Sequence, residues 1–264
     1  MGKFLVIALI SLFLLSSCED PSSDQKALLN VILVDSPAKW DSVFVSFLGV
    51  EVDVRVQGRE STLETFYFEY KPGVKEIEIS ALVGGEALLM ARGELPVGNI
   101  VGGRLLLGDT HYLWLNDRRY PLPLADSRLK EIPLDFEEEV EFGLAYDMLV
   151  DFDLERSIKV LNEDPLTLNL DPKVTAISGI GSGEIEGRIS PSALKPAIYV
   201  ISGDDSLSTQ TNTSSTFLFR IPSGVYTIYV DPKDDRYDSL VIRNVPVETN
   251  SQTDLELLTI LPKE

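Results

Sequence analysis

Residues 140–152 read VEFGLAYDMLVDF, and the apolar side chains keep one parity: Val140, Phe142, Leu144, Tyr146, Met148, Val150 and Phe152. Seven apolar residues at a spacing of two would be spread around a helix, whereas they line a single face of an extended strand. The other parity carries Glu141, Asp147 and Asp151, as expected of a sheet with one wet face. The stretch therefore predicts one long strand, and the text on either side predicts more. Leu28 to Val34 is an apolar run. From Val43 to Val56 the apolar positions are first 43, 45 and 47, then 50, 52, 54 and 56. A one-residue slip reverses the buried face, so the parity flip at Leu48-Gly49 predicts a bulge or bend. Phe66-Tyr67-Phe68 and Ile77-Glu78-Ile79 read as two further strands. Arg104 to Leu107 and Tyr112 to Leu115 read as a hairpin across Gly108-Asp109.

Helical signal is thin. Asp153-Leu154-Glu155-Arg156-Ser157 predicts a short helix with Asp153 as its N-cap. Ala81 to Arg92, broken by Gly84-Gly85, reads as a loop followed by a strand. Ser178-Gly179-Ile180-Gly181-Ser182-Gly183 has the composition of a hinge. After it, Glu184–Ile189, Ala197–Ile201, Thr209–Thr213, Thr216–Ile221, Val225–Val230, Ser239–Val245 and Asp254–Leu261 read as seven short strands, the density of a β-sandwich. The expected fold class is all-β, with two β-sandwich-like domains in tandem after a lipoprotein signal peptide. The expected division is a signal over 1–17, a tether over 18–26, a first domain over 27–178, a hinge over 179–183 and a second domain over 184–264.

The signal rests on the first residues. Met1-Gly2-Lys3 is a short basic start, Phe4 to Leu15 is apolar except for Ser11, and Leu15-Ser16-Ser17-Cys18 follows. A charged start, an apolar centre of about 7–15 residues and small residues before a cut describe a secretory signal. The apolar run is shorter than the roughly 20 residues of a membrane-spanning helix. Val6 stands where myristoylation would want Ser or Thr. The small-small-Cys ending resembles the bacterial lipobox. That resemblance implies cleavage between Ser17 and Cys18, with a diacylglyceryl group on the Cys18 thiol. Two or more acyl chains anchor a protein stably. Glu19 to Lys26 (EDPSSDQK) reads as the tether. Its Glu19-Asp20 resembles the export signal of surface-exposed lipoproteins in Bacteroidota-type bacteria.

The chain of 264 residues carries 23 Lys and Arg against 42 Asp and Glu, a net charge of −19. Such a surface repels phosphate backbones and anionic headgroups, so nucleic acid is disfavoured as a partner. Membrane attachment is expected through acyl chains on Cys18, and an envelope protein or a glycan remains as partner. Cys18 is the single cysteine, so no disulfide within the chain supports the fold.

Leu33-Val34-Asp35-Ser36-Pro37 followed by Val43 to Val52 resembles a family of bacterial envelope domains known as domain of unknown function 4382. So do Glu94-Leu95-Pro96-Val97-Gly98 leading into Arg104-Leu105-Leu106-Leu107-Gly108, then Tyr120-Pro121-Leu122, Asp151 to Ile158 (DFDLERSI), and Leu170 to Ile177 (LDPKVTAI). The resemblance covers about 27–178. It implies a β-sandwich-like extracytoplasmic module and no activity. Gly183-Glu184-Ile185-Glu186-Gly187 and Phe217 to Ile228 (FLFRIPSGVYTI) resemble carboxypeptidase regulatory-like, transthyretin-like domains. Pro222 there sets a turn dihedral and Gly224 supplies a positive φ if the turn needs one.

No catalytic residue is expected. A Ser-His-Asp device needs the single histidine, His111, which reads as a surface or strand-edge residue beside a turn with no serine motif near it. Ile180 occupies the first glycine position of G-x-S-x-G around Ser182. One cysteine and one histidine exclude a Cys/His zinc site. Carboxylates are abundant: Asp151, Asp153 and Glu155 would share a face of an extended strand, and Asp231, Asp234, Asp235 and Asp238 crowd one loop. Asp151, Asp153, Asp231 and Asp235 are the candidates for Ca²⁺, although no EF-hand spacing is present and a solvated acidic loop explains them as well. Trp40, Trp114, Tyr199, Tyr226, Tyr229 and Tyr237 could stack on sugars, but in alternating strands most belong to the core. No cofactor is expected. The expected role is that of a non-catalytic, lipid-anchored envelope protein, expected at the outer membrane facing either the surface or the periplasm, acting in binding, display or spacing. The alternative is a carbohydrate- or Ca²⁺-binding module serving a neighbouring uptake or adhesion system.

Overall fold

Val140 to Phe152 is not one strand. In the computed structural model, Val140 ends a three-residue strand, Phe142-Gly143 turn the chain, and a second strand runs from Ala145 to Asp153. Gly143 has φ 77°, a left-handed conformation that glycine adopts without the Cβ clash of other residues. Phe142 and Leu144 thus keep the parity of the strand by coincidence, and both are exposed. The structure describes residues 25–36, 40–58, 62–83, 85–179, 181–203 and 205–263. The signal peptide, Ser17, Cys18 and Glu19-Asp20 lie outside the described residues.

In chain order the first half contains β1 (Lys26–Ser36), β2 (Ser42–Val56), β3 (Thr62–Glu69), β4 (Glu76–Glu78), β5 (Leu88–Pro96), β6 (Gly98–Leu115), β7 (Arg118–Pro121), β8 (Glu131–Leu134), β9 (Glu138–Val140), β10 (Ala145–Asp153), α1 (Leu154–Ser157), β11 (Ile158–Glu163), β12 (Leu166–Leu170) and β13 (Val174–Ser178). The second half contains β14 (Ser182–Ser190), β15 (Ala197–Ser202), β16 (Asp205–Gln210), β17 (Thr216–Pro222), β18 (Gly224–Asp231), β19 (Leu240–Val247) and β20 (Gln252–Thr259). The fold is all-β, as the alternating pattern predicts.

Two sheets form the first half. One has the order β13-β10-β1-β5, with β1 parallel to β10 and antiparallel to β5. The other has the order β3-β2-β6-β7, and β4, β8 and β9 pair along β2 and β6. Leu29, Val31 and Leu33 of β1, Met148, Val150 and Phe152 of β10, and Val43 to Val54 on alternate positions of β2 share one core. Phe47 meets Phe152 edge-on, ring centres 6.1 Å apart. The second half also has two sheets, β17-β14-β20 and β16-β15-β18-β19, closed over a separate core that includes Ile185, Ile198, Phe217, Ile228 and Val230. β11 and β12 form a two-stranded ribbon of their own.

The parity flip in β2 is a bulge. Pairing with β6 shifts register between Val45 and Phe47 and again between Phe47 and Gly49. Leu48 is left exposed while Phe47 and Val50 are buried. A Cβ on Gly49 would collide with the Phe68 carbonyl oxygen of β3, so this close approach needs glycine.

Gly108-Asp109, in contrast, is not a hairpin turn. It lies inside β6, which continues through it for 18 residues in all. Leu107 pairs with Phe47 and His111 with Val45, so β6 bulges here. Gly108 is small because Ser46 of β2 lies where its Cβ would be. The hairpin comes later, at Asn116-Asp117, whose φ values of 50° and 59° suit a two-residue connection to β7.

The predicted wet face of β10 is also corrected. Leu149 and Asp151 are 4% and 6% exposed, because β16 and β17 of the second half lie over β1 and β13. Asp153 does cap α1, accepting a 2.8 Å hydrogen bond from the Arg156 N–H. Within the second half, the strand read at Thr209–Thr213 is β16, ending at Gln210. Pro222-Ser223-Gly224 carries the chain from one sheet to the other, and Gly224 has no positive φ. Of the residues read as hinge, Ser182 and Gly183 open β14 and are buried.

Candidate functional site

The two halves meet on the face of β1, β10 and β13 that points away from the first core. Ile32 and Val34 of β1, Leu149 and Asp151 of β10, and Ile177 of β13 form one wall of a cavity of about 210 Å³. Leu207 and Thr209 of β16 and Leu218 to Arg220 of β17 form the other. The alternation of β17 puts Phe217, Phe219 and Ile221 in the second core and turns Leu218 and Arg220 toward this contact. Leu218 also reaches across to Gly85, where a Cβ would lie 3.2 Å from its own Cβ.

One rim of this contact is polar. Glu155 of α1 accepts a 3.1 Å hydrogen bond from the Tyr199 hydroxyl of β15 and a 3.0 Å one from the Lys233 ammonium. Lys233 also pairs with Asp231 at 3.2 Å. Partial burial pulls the Lys233 pKa down, but the bonds to Glu155 and Asp231 outweigh it and the net shift is upward. Burial and the Glu155 carboxylate raise Tyr199. A double-mutant cycle with Glu155→Gln and Lys233→Met is expected to give a coupling of about 0.5–1 kcal/mol, since the pair is half exposed. Additive single effects in urea unfolding would show that the rim does not couple the halves.

The candidate carboxylates are not brought together. Asp151 lines the cavity, whereas Asp153 faces the first turn of α1 and Glu155 faces the second half. The chain leaves the extended form after Asp153, so the three do not share a face. Burial raises the Asp153 pKa, against the opposing Arg156 N–H. Asp231 is engaged by Lys233, and Asp234 by Arg236, which holds Asp234 down at about 2. Asp235 is exposed. Among the described residues, no group of three His, Cys, Asp or Glu could hold a metal ion. Of the aromatic candidates, Trp40 is buried, Tyr199 and Tyr229 pair at 5.9 Å, and Trp114 is partly exposed on β6.

His111 is neither at the surface nor beside a turn. It is buried in mid-strand at the β6 bulge. Its Nδ1 accepts a 3.2 Å hydrogen bond from the Ser46 N–H, and its Nε2 is buried. Burial lowers its pKa. A histidine with a depressed folded pKa binds its proton more readily in the unfolded chain, so stability is full above about pH 6.5 and falls as the pH drops toward the folded value. The expected slope is at most about 1.4 kcal/mol per pH unit. Melting temperatures between pH 7.5 and 5.5 check it: His111→Gln flattens the decline, and an equal decline in that variant would refute the assignment.

The residues that sequence reasoning missed here are Tyr199, Lys233 and Glu155 acting as one cluster. Glu155 and Lys233 are 78 positions apart, and no local pattern links them.

A family model described as domain of unknown function (DUF4382) matches residues 26–172. No curated protein matches. Among solved structures, the chain is similar to the Bacillus anthracis TIE protein at 11% identity and TM-score 0.24, over 90% of this chain and 34% of that one. It is similar to a leucine-rich repeat protein from Bacteroides thetaiotaomicron VPI-5482 at 14% identity and TM-score 0.21, over 91% and 27%. It is similar to GBS52, the minor pilin of Streptococcus agalactiae, at 7% identity and TM-score 0.24, over 89% and 97%. The chain thus spans about a third or less of the first two, and at TM-scores this low none of the three bears on function. The family match runs from the start of β1 past the end of β12 and takes in more than half of the sequence. It takes in the motifs quoted between Leu33 and Ile158 and stops at 172, inside the last one at Leu170 to Ile177, and the chain belongs to the DUF4382 family.

Proposed function

We propose that this protein is a lipid-anchored, non-catalytic module of the bacterial envelope, attached to the outer membrane by acyl chains on Cys18 and acting in binding, display or spacing. In this reading the second half is a carboxypeptidase regulatory-like sandwich that adds a second body to the first. The observation that carries the reading is the order of the N-terminal text: a basic start, an apolar run, Ser16-Ser17-Cys18, and then only seven residues before β1 begins at Lys26. From Cys18 to Lys26 such a tether spans at most about 29 Å. It would hold the folded body close to the lipid surface. The engagement of His111 with the Ser46 backbone supports a structural role for that residue. Two sheets with the order β17-β14-β20 and β16-β15-β18-β19 are in keeping with the sandwich reading.

The test is mass spectrometry of the N-terminal peptide from protein made in a lipoprotein-processing bacterium, with detergent-phase partitioning beside it. The mature peptide is expected to begin at an acylated Cys18, and the protein to enter the detergent phase. Cys18→Ala is expected to abolish both. A free thiol at Cys18, or wild-type protein in the aqueous phase, overturns the reading.

A further inference from the structure

Phe142 and Leu144 are 63% and 47% exposed, on the tight turn between β9 and β10. Exposed apolar residues are common singly, but two large ones flanking a glycine at a turn tip form a small apolar knob. Its position is what gives it meaning. The Gly143 N–H donates to the Lys26 carbonyl at 3.0 Å, and the Leu28 N–H donates to the Leu144 carbonyl at 2.9 Å. The knob is therefore bonded to the first residues of β1, at the point where the eight-residue segment from Cys18 joins the body. β10 then runs away from it for nine residues, roughly 30 Å, toward α1 and the β11–β12 ribbon.

We propose that the Phe142-Gly143-Leu144 turn is a membrane-contact element, which seats the tethered body on a lipid surface of zwitterionic headgroups. The proposal rests on the lipid-anchor reading above and deepens it by naming the surface that meets the bilayer. The tether brings the knob within reach: its length is at most about 29 Å, and it ends beside the knob. The headgroup preference follows from charge. Glu139 and Glu141 flank the turn and are exposed, and Lys26 is paired with Glu94 at 2.9 Å. Carboxylates at this end repel an anionic surface, so contact depends on the apolar side chains entering a neutral interface.

The test uses the mature, acylated full chain in phosphatidylcholine–phosphatidylethanolamine vesicles. Acylation blocks the single native thiol, so Leu144→Cys supplies one reactive site for an environment-sensitive fluorophore. Leu161→Cys, on the exposed β11–β12 ribbon, is the matched control. The expected result is blue-shifted emission from the Leu144→Cys label and its quenching by nitroxide lipids, with neither at Leu161→Cys. Replacing part of the phosphatidylcholine by phosphatidylglycerol is expected to weaken the quenching. Protein that floats with the vesicles while both labels behave alike overturns the proposal and leaves the anchor reading intact. Shielding of the Leu144→Cys label by a second copy without vesicles also overturns it. Protein that fails to float overturns the anchor reading, and the proposal with it.

Discussion

Phe152→Ala is expected to destabilise the first half of the chain by about 3–5 kcal/mol. Phe152 is fully buried on β10, beside Asp35 of β1 and Val174 of β13, and its ring stands edge-on to Phe47 of the opposing sheet. Removing it empties the space between the two sheets beside the bulge in β2, opposite Phe47. Both tryptophans, Trp40 and Trp114, belong to this half. Their emission in urea therefore reports its unfolding without interference from the second core. A drop below about 1 kcal/mol would mean that the sheets close over the gap and that the Phe47–Phe152 contact is incidental.

Gly183→Ala is expected to damage the second half and spare the first. Gly183 sits at the start of β14, paired with Ile221. A Cβ there would fall inside contact distance of the Glu248 carbonyl oxygen, and 2.8 Å from both the Ser251 carbonyl oxygen and Val247 Cγ1. Two of the three obstacles are backbone, and that backbone is held by bonds from the Glu184 N–H to Ser251 and from the Asn250 N–H to Ser182, each 2.8 Å. It cannot yield by a rotamer change. Overpacking of this kind costs about 1–3 kcal/mol, occasionally more. Hydrogen exchange is expected to show lost protection in β14, β17 and β20, with the tryptophan transition unmoved. Unchanged protection there would show that the turn at 248–251 opens at no cost.

Strand placement was readable because a strand with one buried face writes its own alternation. The bulge at Leu48-Gly49 was readable for the same reason, as a change of parity, and the α1 cap was readable from Asp153. What alternation does not state is what lies on the other face. Leu149 and Asp151 belong to the polar parity of β10 and are buried all the same, by strands more than fifty residues further on. Gly108-Asp109 has the letters of a turn, yet Ser46 of another strand decides that it stays extended. His111 is buried for the same reason, since the bulge beside it depends on β2. Phe142 and Leu144 failed in the opposite direction: spacing put them in a strand, while Gly143 put them in a turn. In each case a distant partner or one glycine's dihedral overrode the local pattern.

The parallel pairing of β1 with β10 carries a consequence for how the protein is made. β1 is an inner strand, and its neighbours come much later in the chain: Asn30 bonds Arg92 across 62 positions and Asp147 across 117. Nearly the whole first half must be synthesised before that sheet can close. Until then the nascent polypeptide has no finished first core. High separation between partners of this kind also slows folding once the chain is free.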